Sequence, residues 1–203
     1  MKITYSVENY PQVASETAKQ LGAVWKDTYY HFPQELGKGM IEAYELKDSS
    51  AMIAIFDLKN DLTVQRVTST EEPKLLIDVI FSGFSPLHFK KDREVNQLGF
   101  NIYLSTNRVD VSAKLPAKIQ HEQICIEMNG HYVKKHLPKR FLQMMEKEFF
   151  KPIKIPSTLD SLISSLLISQ NEDSRLKMIP DNLTLLLTLL VDVLKEEESS
   201  LTD

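Results

Sequence analysis

Metal or nucleophile chemistry in this chain would have to use five histidines and one cysteine: His31, His88, His121, His131, His136 and Cys125. A metal enzyme built on a β-barrel brings three or four N and O ligands to one ion and leaves a coordination position open. In sequence this takes the form of a His-x-His pair, a Glu a few residues on, and a further His on a later strand. No two histidines stand at His-x-His spacing. His131 and His136 are five apart beside an expected helix start, a poor geometry for a shared ion, so no metal is expected. Cys125 lies in the alternating run Ile124-Cys125-Ile126-Glu127-Met128 with no motif around it, and reads as a small strand residue rather than a nucleophile. Gly-x-Ser-x-Gly is absent, as is a phosphate-cradling glycine loop, and the six glycines fall near turns. No residue stands out as catalytic, and no cofactor is expected. The polar residue that stands apart is Arg66, on one strand face with Leu62, Val64 and Thr68. Turned inward it needs an anionic partner, because an unpaired buried charge is costly.

These residues ride on a β-rich block spanning 39–130. Expected strands are Met40–Leu46, Ala51–Leu58, Leu62–Thr68, Lys74–Ser82, Leu98–Thr106, Val109–Lys114 and Gln123–Asn129. Turn residues separate them, among them Asp48-Ser49-Ser50, Asn60-Asp61 and Leu115-Pro116. Short strands at this spacing predict an antiparallel sandwich or barrel. Ala51–Leu58 is apolar on both faces and is expected to be central; Lys74–Phe81 is too, apart from Asp78. The polar stretch from Phe84 to Asn96, with His88, Lys90, Lys91, Asp92 and Arg93, reads as a solvated turn rather than a binding loop.

Residues 1–38 read as an N-terminal arm with a short amphipathic helix within Glu8–Trp25, disturbed at its end by Gly22. Tyr29-Tyr30-His31-Phe32-Pro33 reads as an edge strand, or as an arm over the barrel mouth. Residues 131–203 read as helical. One helix is expected from Leu137-Pro138 through Phe150, and a second is expected with Ser157 or Thr158 as cap. The last opens after Pro180 with Asp181 as N-cap. Its Leu183, Leu187, Leu190 and Leu194 follow the four-three spacing of a coiled-coil seam, which predicts a subunit interface.

The length of 203 residues fits one domain with an appendage or two small domains. A hydrophobic share of 42% can build a core, and a net charge of −4 disfavours direct contact with nucleic acid. One cysteine permits no disulfide within the chain, which suits a reducing compartment. The N-terminus lacks a signal-peptide core, and the apolar run Leu185–Val193 is too short to span a bilayer. A cytoplasmic protein without a membrane partner is expected.

The aromatic arm ending in Phe32-Pro33, then Gly39-Met40-Ile41-Glu42, the strands including Lys74–Gly83 and Asn101-Ile102-Tyr103, and the leucine-rich last helix together form a familiar layout. Over residues 25–195 it resembles the N-terminal ligand-sensing domain of AraC-type bacterial transcription regulators. The resemblance implies a mainly β fold with added α: a cupin-like antiparallel β-barrel followed by C-terminal helices. It implies a small-molecule effector bound inside the barrel, a homodimer held by the helices, and helix-turn-helix motifs that read DNA. The helices here are short of Arg and run into Glu196-Glu197-Glu198, so DNA would be contacted only through a domain that this sequence does not carry. Pocket candidates are Tyr44, Phe56, Arg66, Phe81, Phe100 and Tyr103, with Trp25, Tyr29, Tyr30 and Phe32 of the arm closing over them. On this reading the chain is not an enzyme. The rivals are a small cupin-like isomerase or metal-free lyase, marked by a close cluster of titratable residues inside the barrel, and a structural dimer module with a solidly packed interior.

Overall fold

In the computed structural model, which describes residues 1–26, 29–81, 87–89, 93–95, 101–154, 156–167 and 172–196, the chain builds two facing sheets and a layer of helices. In chain order the elements are β1 (Lys2–Tyr5), α1 (Tyr10–Leu21), β2 (Val24–Lys26), β3 (Tyr29–His31), β4 (Gly37–Leu46), β5 (Ser49–Leu58), β6 (Leu62–Arg66) and β7 (Leu75–Phe81). Then come β8 (Leu87–Phe89), β9 (Arg93–Val95), β10 (Asn101–Thr106), β11 (Val111–Leu115) and β12 (Gln120–Met128). After them stand α2 (Gly130–His136), α3 (Lys139–Met145), β13 (Phe150–Ile153), a tight helical turn (Ser157–Leu159), α4 (Asp160–Leu167) and α5 (Glu172–Glu196). The smaller sheet has the order β1-β6-β11-β8-β9, and the larger β13-β10-β7-β12-β5-β4-β3-β2.

Strand alternation assigns the layers. On β5, Met52, Ala54, Phe56 and Leu58 turn toward the smaller sheet, while Ala51 and Ile53 turn toward the helices. On β12, Ile124, Ile126 and Met128 join the helical side and Cys125 the inner side. The larger sheet is thus covered on both faces, which explains why β5 and, apart from Asp78, β7 are largely apolar on both faces. Gly37 sits at φ 135 where β4 meets β5, and a Cβ there would lie 2.1 Å from the Asp57 carbonyl oxygen. Only glycine lets the two strands come together at that point.

The fold class matches expectation: mainly β with α, with facing, largely antiparallel sheets of cupin type and C-terminal helices. Several expectations need correction. Among the described residues the sheets do not close into a barrel, and one pair is parallel, β1 with β6. The first 22 residues are no loose arm, because Ile3, Tyr10, Val13, Ala14 and Leu21 are buried in the inter-sheet core. The expected helix from Leu137-Pro138 through Phe150 is α3, which starts there but ends at Met145; α2 stands before that span and stops where the residue before Pro138 is held extended (φ −120, ψ 156), and Phe150 opens β13, which pairs with β10. Finally, α5 starts at Glu172 and runs through Pro180 rather than being capped by Asp181, and neither Ser157 nor Thr158 provides a side-chain cap. The stretch read as a solvated turn carries the paired strands β8 and β9. Elsewhere the reading holds: α1 is capped by Asn9 and ends at a left-handed Gly22, and β3 pairs β2 and β4 near the sheet edge. No described helix is long and apolar enough to cross a membrane.

Candidate functional site

A buried polar cluster lies between the sheets. Arg66, at the end of β6, is 3% exposed. Its Nη1 donates to Asp78 Oδ2 at 3.1 Å and its Nη2 to Ser105 Oγ at 2.9 Å. Register explains the meeting: Asp78 on β7 and Ser105 on β10 both fall on the inner face, opposite the layer that holds Ile77, Val79, Ile102 and Leu104. Tyr5 stands level with Arg66 on the neighbouring β1. Tyr10, at the start of α1, donates its hydroxyl toward Asp78 Oδ1 at 3.5 Å. Cys125 faces Asp78 across the β12–β7 pair and accepts from Gln123 Nε2 at 2.8 Å.

The electrostatics follow from burial. Burial opposes the Arg66 charge, but Asp78 and the other acidic groups around it outweigh that and hold its pKa above the ordinary value. Burial pushes the Tyr5 and Tyr10 hydroxyls up, helped by nearby Cys125 and Asp78. Burial and then Asp78 push the Cys125 thiol well up. The cluster therefore holds one cation, one carboxylate, two neutral phenols and a neutral thiol. Further along the same inner face, Glu127 accepts from Ser50 Oγ at 3.2 Å and lies 3.7 Å from Lys74 Nζ. Burial raises the Glu127 pKa, with Lys74 and Ser50 pulling the other way.

A cavity of about 50 Å³ opens beside the cluster, lined by Tyr5, Phe56, Arg66, Asp78, His121 and Gln123 among others. At roughly 10–15 Å³ per water on this measure, it holds a few waters or a compact ligand. The Arg66 Nε–H is buried and has no hydrogen-bond partner. His121 Nε2 lies 3.0 Å from the Pro116 carbonyl oxygen.

The expected pocket residues divide. Phe56 and Arg66 line the cavity. Tyr103 is buried on the inner face of β10 and stacks on Phe150 with centroids 5.1 Å apart. Tyr44 does not belong: it faces the helical layer and donates to Glu42 Oε2 at 2.9 Å, because β4 presents Ile41 and Ala43 inward. Trp25 is 55% exposed on the edge strand and packs edge-on against Tyr30, so this pair does not close over the cavity. Phe32 is buried against Phe56. The Phe81 side chain and Phe100 lie outside the described residues. Leu183, Leu187, Leu190 and Leu194 are 0–2% exposed within the chain's own core. A seam already covered inside one chain has no surface left for a second subunit.

Sequence reading missed Tyr5, Tyr10, Asp78 and Gln123. Asp78 left a signal, as the lone charge in a strand apolar on both faces. Tyr5 left none, because its place depends on β1 pairing with β6, and Tyr10 left none, because it reaches Asp78 from the start of α1. Among the described residues no three His, Cys, Asp or Glu side chains are grouped to hold a metal ion.

The site thus sits between two facing, largely antiparallel sheets and carries a buried ion pair beside a cavity. No protein-family profile matches the sequence, and no curated protein does. Solved structures of cupin fold are similar to it in part. The cupin domain of Cnp3 from Schizosaccharomyces pombe is 8% identical, with 50% of this chain and 68% of that one covered and a TM-score of 0.38. An RmlC-like cupin-family protein with a double-stranded β-helix fold, from Methanocaldococcus jannaschii, is 10% identical over 55% of this chain and 96% of that one, with a TM-score of 0.34. Ectoine synthase from P. lautus is 10% identical over 62% and 82%, with a TM-score of 0.33. The last is an enzyme by name, and the expectation that this chain is not an enzyme is withdrawn.

Proposed function

We propose that this chain is a small-molecule-binding domain that takes its ligand between the sheets, beside Arg66 and Asp78, and acts as the effector-sensing part of an AraC-type regulator. The observation that carries the binding reading is a buried ion pair, Arg66 with Asp78, at the wall of a cavity between the sheets. The sensing reading is supported by the way Tyr5 and Tyr10 tie the cavity to β1 and α1. A ligand that prefers one placement of that N-terminal segment shifts the population toward it. The moving part on this reading is β1 with α1 rather than the aromatic arm. A homodimer, a cytoplasmic setting and DNA contact through a further domain belong to the same reading.

A second reading, a metal-free lyase or isomerase, is favoured by the close set of titratable groups in the interior. Against it, the raised pKa values keep Tyr5, Tyr10 and Cys125 protonated at neutral pH, so none of these three is a base.

Native mass spectrometry of the purified chain tests the binding reading. The wild type is expected to retain a small organic mass. The double variant Arg66→Met/Asp78→Leu, which removes both charges together and keeps the volume filled, is expected to lose it while staying folded. A mass retained by the double variant, or none in the wild type with cell extract added, overturns the assignment.

A further inference from the structure

We infer that the ligand is amphipathic: its head occupies the cavity beside Arg66 and Asp78, and a short alkyl tail enters a second, apolar cavity walled in part by α1. The inference rests on the ligand-binding reading above and adds the class of the ligand.

The second cavity, of about 40 Å³, lies in the inter-sheet core. Ile3 of β1 and Thr17 and Leu21 of α1 wall it on one side, and Ile41, Met52 and Ala54 of the larger sheet on the other. All six are buried. It shares Tyr5, Phe56, Val64 and Gln123 with the first cavity. The same four side chains border both spaces, so the two adjoin. Their remaining walls differ in kind. The first cavity adds Arg66, Asp78, His121 and Glu122, whereas every described wall that belongs to the second alone is apolar except Thr17. Protein interiors pack like organic crystals and hold few voids larger than a water. Two adjoining voids, one with charged walls and one apolar, form a cleft with a wet end and a dry end, the usual shape of a small-molecule site. A water in the dry end finds too few polar partners, while a hydrocarbon chain gains contacts on every side. At roughly 10–15 Å³ per water-sized group, the second cavity takes about three or four carbons. Ile3, Thr17 and Leu21 belong to the β1–α1 segment, so the tail is the part of the ligand that meets the moving element.

The test titrates the straight-chain alcohols from propanol to hexanol into chain carrying isotope-labelled methionine and isoleucine methyl groups. Ile80 reports on the first cavity and Met52 on the second. Their resonances are assigned by their loss in Ile80→Val and Met52→Leu. Hexanol is expected to shift both saturably at one shared midpoint, and the midpoint is expected to fall about fourfold for each carbon added along the series. Ala54→Leu, which fills the second cavity from the larger sheet, is expected to abolish the Met52 shift and flatten the series while Ile80 still responds. An Ile80 response that does not depend on chain length, or different midpoints at Ile80 and Met52, overturns the inference and leaves the first cavity as a binding site. A Met52 response that survives Ala54→Leu overturns it as well. Silence at both reporters overturns it too, and the retained mass in the native spectrum then says separately whether the site binds anything. Should Ala54→Leu fail to fold, the length series and the shared midpoint in the wild type decide alone.

Discussion

Asp78 is a small acid in a strand otherwise built for burial, and its worth depends on Arg66. Removing one member of a buried pair leaves the other charge uncompensated, which costs about 3–5 kcal/mol, whereas replacing both by apolar groups of similar volume is often neutral. Asp78→Ala is therefore expected to lose about that much stability in urea unfolding, and Arg66→Met/Asp78→Leu to recover most of it. Equal losses in the two variants would show that the pair is not balancing itself. Glu127 makes a different prediction. Burial raises its pKa above the ordinary 4.5, so the native state binds this proton more tightly than the unfolded chain. Its contribution to stability is then full below the unfolded value and is lost as pH rises through the folded value. Glu127→Gln keeps an acceptor for Ser50 and cannot titrate. The gain from Glu127→Gln is expected to grow from acid toward neutral pH, read as urea midpoints at each pH; a constant difference would rule the effect out.

Between residues and the whole fold, legibility tracked the strength of the local pattern. The seven long strands of the β block were readable because their alternation runs over five or more residues. β1 and β13 were not: four residues each carry too little period, and both are strands only because β6 and β10 offer an edge to pair. The start of α3 was written in Leu137-Pro138, whereas its end at Met145 was hidden by apolar spacing that continues to Phe150. The site was half legible. Arg66 and Phe56 could be found from their strand faces, Tyr44 was placed on the wrong face, and Tyr10 comes from another part of the chain. α5 gives the sharpest test of face assignment. Leu186 and Leu190 are fully buried while their neighbour Leu185 is 49% exposed. Leu186→Ala and Leu190→Ala are each expected to cost about 2–5 kcal/mol by thermal or urea unfolding, and Leu185→Ala no more than about 0.5 kcal/mol. Comparable costs at Leu185 and Leu186 would mean the helix is turned differently.

For the molecule as a whole, the question is what surface remains for self-association once the leucine seam lies inside. On α5, Met178 and Leu185 are 54% and 49% exposed, seven residues apart and so on the same side of the helix. A second exposed apolar group among the described residues is Val24 and Trp25 on the edge strand β2. If the dimer of the proposed sensor forms through its last helix, it forms through the Met178–Leu185 side. Sedimentation velocity over a range of concentrations separates the cases. Met178→Ser/Leu185→Ser is expected to weaken dimerisation about tenfold or more while leaving the unfolding midpoint in place, since both side chains are exposed in the single chain. Leu187→Asp is expected to unfold the protein instead, because it sets a charge into the core against α4 and the larger sheet. A folded Leu187→Asp monomer would put the seam back at the interface. A dimer untouched by the α5 double variant but weakened by Trp25→Ser would move the contact to the sheet edge, and with it the route by which ligand state reaches a partner.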